Sequence, residues 1–209
     1  MSHPSDPSLL VLHGLRLKGF ADTDRLADAT GVDPAAVLAA LTAFATDELV
    51  QRREGRLTGW SLTPRGRDEL EARLAAELDA TGGRGLVDDA YRRFLALNPE
   101  LLEVCTDFQV RGDVVNDHTD RGYDHAVVAR LTDLHDRARP LCDDLAKVLA
   151  RFGGYGDRLD AALARVRAGE HHWFTKPLID SYHTVWFELH EDLLATLGVD
   201  RADEHPETP

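Results

Sequence analysis

"LADATGVDPAAVLAALTAFATDELVQRREGRLTGWSLTPRGRDEL", residues 26–70, is the stretch on which the fold turns. Its punctuation is dense. Gly31 closes one apolar-periodic run, and Asp33 then offers an N-cap with Pro34 at the first helical position. Val37, Leu41 and Phe44 follow at helical spacing and form an inward stripe. Ahead of Gly31, Asp22 or Thr23 can cap a shorter helix that packs Leu26, Ala27 and Ala29/Thr30 inward. Two short helices joined by a three- or four-residue turn containing glycine make a helix-turn-helix pattern. Leu49–Arg53 then reads as a strand, Glu54-Gly55-Arg56 as a turn, and Trp60–Thr63 as the returning strand. Thr63 caps a further helix that has Pro64 at its first position and runs to about Ala80. Residues 9–18, with apolar positions 9, 12 and 15/17, predict a helix ahead of this block, ended by a turn at Gly19.

The charge on the hairpin runs against the chain. The 209 residues carry a formal net charge of −13, yet residues 51–67 hold five arginines against one glutamate. An acidic protein repels nucleic acid at long range, so any phosphate contact has to come from a local cationic patch. Arginines on a twisted hairpin project away from the body and suit phosphate oxygens or a narrow minor groove. Arg65 and Arg67 fall in the first turn of the next helix, near its positive end.

The order helix, helix-turn-helix, hairpin, helix is that of a winged helix. LADATGVDPAAVLAAL, DELVQRREGR and GWSLTPRGRDEL together resemble the winged-helix domain of MarR- and PadR-type transcriptional regulators. Leu62–Arg67 is the most family-like piece, and the resemblance covers residues 9–70. It implies that residues 35–46 enter a major groove and that Arg52, Arg53 and Arg56 reach a flanking minor groove or phosphates. It further implies that helices outside the winged helix build a homodimer and a ligand pocket. The outward positions of the second helix are Ala35, Ala36, Ala39, Ala40, Thr42, Ala43 and Thr46. The methyls of Thr42 and Thr46 can touch thymine methyls, but this face offers few groups for reading base edges. Binding is then led by the hairpin, or the module serves protein contact instead.

The rest of the chain reads as helical. TGGRG, residues 81–85, marks a boundary between a winged-helix domain over 1–80 and a helical dimerisation and ligand-binding domain over 81–200; residues 201–209 read as a disordered tail. Helices are expected at 86–97, from an Asn98-Pro99-Glu100 cap to near Arg111, at 123–151 with a bend at Pro140, at 157–168 after a GGYG turn, and at 175–197. The segment between 112 and 122 reads as a polar loop. The last helix is apolar nearly all round and carries titratable groups, which suits a ligand site. Trp173, Tyr182, His183, Trp186 and His190 are its candidate ligand-binding residues, with His118 and His125 added from the loop and helix start before it. The alternative is that the histidines are satisfied by neighbours such as Asp180 and Glu191.

Asn116, Asp117, His118, Asp120, Asp124 and His125 crowd one region, but His118/His125 and His183/His190 are each seven apart. On a helix that is about 10.5 Å of rise, too far for one ion. No metal or other cofactor is therefore expected, while an ion held between the loop and the last helix stays open as an alternative. No catalytic residues are predicted, since G-x-S-x-G, H-E-x-x-H and a phosphate-cradling glycine loop are all missing. No run of about 18 apolar residues predicts a membrane span, the first twenty residues lack the pattern of a signal peptide, and Cys105 and Cys142 lack metal-like spacing. The expectation is a mostly α, cytoplasmic, ligand-responsive regulator whose partners are double-stranded DNA, a small-molecule effector and a second copy of itself. The alternative is a winged-helix protein that does not bind DNA and whose helical domain is an enzyme or an adaptor.

Overall fold

A computed structural model of the chain describes residues 2–200; the tail expected at 201–209 lies outside the described residues. Among the described residues the fold is mostly helical, with two small antiparallel two-stranded sheets. It divides into two compact units. One holds residues 3–84 together with the segment from Glu191 onward, and the other holds residues 85–190 with the N-terminal Ser2.

The first unit contains α1 (Pro7–Lys18), α2 (Thr23–Thr30), α3 (Pro34–Thr46), β1 (Val50–Arg53), β2 (Gly59–Leu62) and α4 (Pro64–Thr81). Local chemistry sets nearly every boundary. Asp6, Asp22, Asp33 and Thr63 each cap a helix by accepting from backbone N–H groups one turn in. Gly31 and Gly82 end α2 and α4 in the left-handed region. α2 and α3 are bent by 115° across the three residues between them. The core gathers Leu12, Leu26, Leu41, Val50, Trp60 and Leu70, with Ala195 packed among them.

Sequence alone assigned 191–200 to the helical domain, yet this segment packs into the first unit. Polar contacts accompany the apolar fit. His13 Nε2 lies 3.1 Å from Asp192 Oδ1, with both side chains almost fully buried, though at an angle too poor for a hydrogen bond. Arg16 reaches Glu191 at 3.8 Å.

The second unit contains α5 (Arg84–Gln109), β3 (Val110–Arg111), β4 (Val114–Val115), α6 (Arg121–Val148), a 3-10 turn at Ala150–Phe152, α7 (Gly153–Arg167) and α8 (His172–Thr175); α9 (Tyr182–Leu197) spans the division between the units. Several expected boundaries are corrected. α5 runs through Pro99 without a break. An interior proline costs about 3 kcal/mol. Here the buried stripe Phe94, Leu97, Leu101, Val104 and Phe108 continues on both sides of it and outweighs that cost. Asn98 caps nothing; its Oδ1 accepts from Trp186 Nε1 at 3.0 Å. The polar loop holds a small hairpin, β3 paired with β4, turned at Gly112 with φ +63°. GGYG opens α7 and does not precede it. The last helix begins at Tyr182, because the chain turns at Leu178, whose φ is +68° and whose side chain is exposed.

Candidate nucleic-acid interface

β1 and β2 pair in the register Val50↔Leu62, Gln51↔Ser61, Arg52↔Trp60 and Arg53↔Gly59. Ala21 bridges the outer edge of β2 through two backbone hydrogen bonds with Trp60. Val50, Trp60 and Leu62 face the core while Gln51, Arg52 and Arg53 stay exposed. Alternation along a strand sends Arg52 and Arg53 to opposite faces, and Arg56 follows in the turn. Cations therefore surround the hairpin.

Their pairing is light. The Arg52 guanidinium lies 5.7 Å from the centroid of the Trp60 ring and 3.4 Å from Glu54. That ion pair is exposed on both sides and worth about 0–1 kcal/mol. Among the described residues, Arg53 and Arg56 have no carboxylate within ion-pair distance.

Leu62–Arg67 works as a clasp. Thr63 Oγ1 accepts from Gly66 N at 3.0 Å, capping α4, and donates toward Glu48 O at 2.7 Å and Leu49 O at 3.1 Å. Gly66 must be glycine, since a Cβ there would lie 1.9 Å from the Leu49 carbonyl oxygen. The backbone thus holds the base of the hairpin against the first turn of α4. Arg65 and Arg67 do not act together. Two residues apart on a helix is about 200° of rotation. Arg65 turns to Glu48 at 3.6 Å, whereas Arg67 lines a cleft of about 480 Å³ with Leu15, Arg16, Glu71 and Leu194.

α3 presents a bland surface. Ala35, Ala36, Ala39 and Ala43 are exposed, as are Thr42 and Thr46. Both threonine hydroxyls donate to their own helix, at Leu38 O and Thr42 O, which leaves their methyls as the outward chemistry. Leu38 is 51% exposed on this helix. Exposed Asp47 and Glu48 stand at its C-terminal end.

The residues read as a ligand site fall into different settings. Tyr182 is fully buried; its hydroxyl meets His135 Nδ1 at 3.3 Å, and burial drives its pKa upward. Trp186 stacks on Phe94 at 4.5 Å, and His190 tilts against the same ring at 5.0 Å. These three are packed as core. His183 is half-buried, and loss of solvent lowers its pKa from 6.5. Trp173 lies under the Arg165 guanidinium, 4.3 Å away. His125 is exposed. Of the neighbours expected to satisfy the histidines, Asp180 accepts from Arg158 and Glu191 faces Arg16. His118 lies with Asp124 and with His171, a residue that sequence reasoning passed over. The adjacent pair His171-His172 was the only local signal for it. Cys105 and Cys142 are buried free thiols, each pushed up to about 12 by burial.

Comparison with protein-family models, curated proteins and solved structures finds no match to this chain. Among the described residues, no single helix is long and apolar enough to cross a membrane.

Proposed function

We propose that this protein is a transcriptional regulator whose N-terminal unit is a winged helix that binds double-stranded DNA chiefly through its hairpin. The observation that carries this reading is the pair of exposed arginines, Arg53 and Arg56, without carboxylate partners among the described residues. They stand on a hairpin that follows two helices bent by 115°. That angle lies within the range of helix-turn-helix units. Cations on both faces of a hairpin and in its turn suit a segment lying between the two phosphate strands of a narrow groove. α3 would sit in the major groove as a spacer, touching thymine methyls through Thr42 and Thr46. A homodimer and a small-molecule effector belong to the same reading, because paired half-sites about one helical turn apart require two copies.

The test is binding to labelled duplex DNA across a salt series. Each phosphate neutralised contributes about −0.9 to the slope of log affinity against log salt. Replacing Arg52, Arg53 and Arg56 together by alanine is expected to flatten that slope by two to three phosphates, on the order of 2–3 in slope. A wild-type protein whose affinity ignores salt, or a triple variant that binds as well as wild type, sinks the reading.

A second reading is favoured by the face of α3 itself. Alanines flanking a half-exposed Leu38 make a small apolar surface better suited to a protein than to base edges. In that case Leu38→Glu abolishes a protein–protein contact, seen as a change in sedimentation, while the arginine variants leave it intact.

A further inference from the structure

His118 and Asp124 from one stretch of the second unit meet His171 from a distant one, and we propose that the three bind one divalent first-row transition-metal ion. His118 lies in the loop after β4, Asp124 in the first turn of α6, and His171 just ahead of α8. One potential ligand atom from each lies within 4.8 Å of the others. Ligands bonded to one ion at about 2.0–2.2 Å stand roughly 3–4 Å apart. His118 Nδ1 and Asp124 Oδ2, at 3.1 Å, already satisfy that separation.

The donor set selects the class of ion. Two imidazoles and one carboxylate suit zinc, cobalt, nickel or ferrous iron, whereas calcium and magnesium favour oxygen ligands throughout. Three protein ligands also leave a coordination position for water or a small anion.

The surroundings are those of a supported site. Asp124 is only 5% exposed, and among the described residues no lysine or arginine pairs with it. Burying a carboxylate is costly unless it is paired and hydrogen-bonded, and a metal ion held by the same groups would supply a fixed positive charge. Asn116, itself buried, donates from Nδ2 to Asp124 Oδ1 at 2.9 Å and to the Phe108 carbonyl at 3.1 Å. Those bonds hold one carboxylate oxygen, while His118 Nδ1 lies 3.2 Å from Oδ1, 3.1 Å from Oδ2 and 3.3 Å from Asn116 Nδ2, so Asn116 supports both groups from outside, as ligating groups are commonly supported. His118 holds a left-handed backbone, φ +57°, which costs a non-glycine residue of order 1 kcal/mol. In that conformation its backbone N–H donates to Asn116 Oδ1 and its ring reaches Asp124. Phe108 stacks on Phe174 at 4.1 Å and walls both imidazoles, with ring centroids 4.7 Å from His118 and 5.5 Å from His171. The competing arrangement is a hydrogen-bonded His118–Asp124 pair with His171 packed on it and no ion.

The experiment uses the full-length, untagged chain stripped with a chelator. Zn²⁺ is titrated by calorimetry and Co²⁺ by visible absorption. One ion per chain is expected, with ligand-field bands in the cobalt form. Asp124→Asn, which preserves shape, and His171→Ala are expected to remove the saturable phase. Asn116→Ala is expected to weaken binding about 10–100-fold. His172→Ala, at the exposed neighbour of His171, is expected to bind like wild type. Circular dichroism confirms that each variant is folded, and the wild-type titration decides the matter even where a variant is not. Absence of saturable one-to-one binding in the wild type, or wild-type affinity in both Asp124→Asn and His171→Ala, overturns the proposal. The result does not depend on whether the N-terminal unit binds DNA.

Discussion

The hairpin of the first unit and the α7–α9 face of the second treat arginine in opposite ways. Arg53 and Arg56 stand in solvent on a hairpin whose shape depends on the backbone beneath it. In the second unit Arg158 donates to Asp180 through Nε and one Nη, at 3.0 and 2.9 Å, and to the buried Glu188 at 2.6 Å. Burial alone would lower the Arg158 pKa, but the Asp180 hydrogen bond and the Glu188 charge hold it above the ordinary value. Arg137 likewise grips Glu100, and Arg139 is shared among Asp143, Asp157 and Asp160. A cation that is already engaged holds helices together; one left in solvent remains open to a partner. The difference separates charge that shapes the fold from charge that is available for recognition.

That contrast can be broken by stability measurements, since the hairpin arginines should contribute almost nothing to folding. The largest effect is expected at Asp192. Asp192→Ala removes both the carboxylate beside buried His13 and the acceptor of Thr196 Oγ1, and should cost about 3 kcal/mol in denaturant unfolding. A loss under about 1 kcal/mol, the worth of an exposed pair, would show the buried contact to be idle. Gly66→Ala comes next, with an expected loss of about 2–3 kcal/mol from the clash with the Leu49 carbonyl. It should also weaken DNA binding, because the hairpin loses its footing. Glu188→Gln keeps the shape but removes one of two carboxylates on Arg158 and is expected to cost about 1–2 kcal/mol. The smallest effect is reserved for Arg65→Ala, which breaks an exposed pair with Glu48 and should move stability by less than about 0.5 kcal/mol. If Arg65→Ala proved as damaging as Glu188→Gln, the division between structural and available cations would not hold.

The two units also differ in how much of them could be read in advance. In the first, boundaries are written locally: Asp33-Pro34, Thr63-Pro64, Gly31 and Gly82 act on their own neighbours, so short-range chemistry suffices. The second misleads for the same reason. Asn98-Pro99 has the form of a helix start, but a tryptophan 88 residues on takes the asparagine, and the apolar stripe carries the helix through. Trp186 and His190 looked available because the sequence does not reveal that Phe94 lies against both. The metal candidate was half visible. His118 and Asp124 fall in one crowded segment, while His171 is 47 residues away from Asp124 and reaches it only through the packing of Phe108 and Phe174. Spacing rules see ligands on one helix; they do not see a ligand brought in from a distant stretch of the chain.

The chain's two thiols, Cys105 and Cys142, both lie in the unit formed by residues 85–190, sealed from solvent and protonated at ordinary pH. They act as native reporters. A thiol-specific reagent can modify them only when that unit opens, so the labelling rate measures its local unfolding without an introduced probe. The N-terminal unit carries no cysteine among its residues and stays silent in such an assay. Comparing that rate with global unfolding would show whether the two halves of the molecule open together or one at a time.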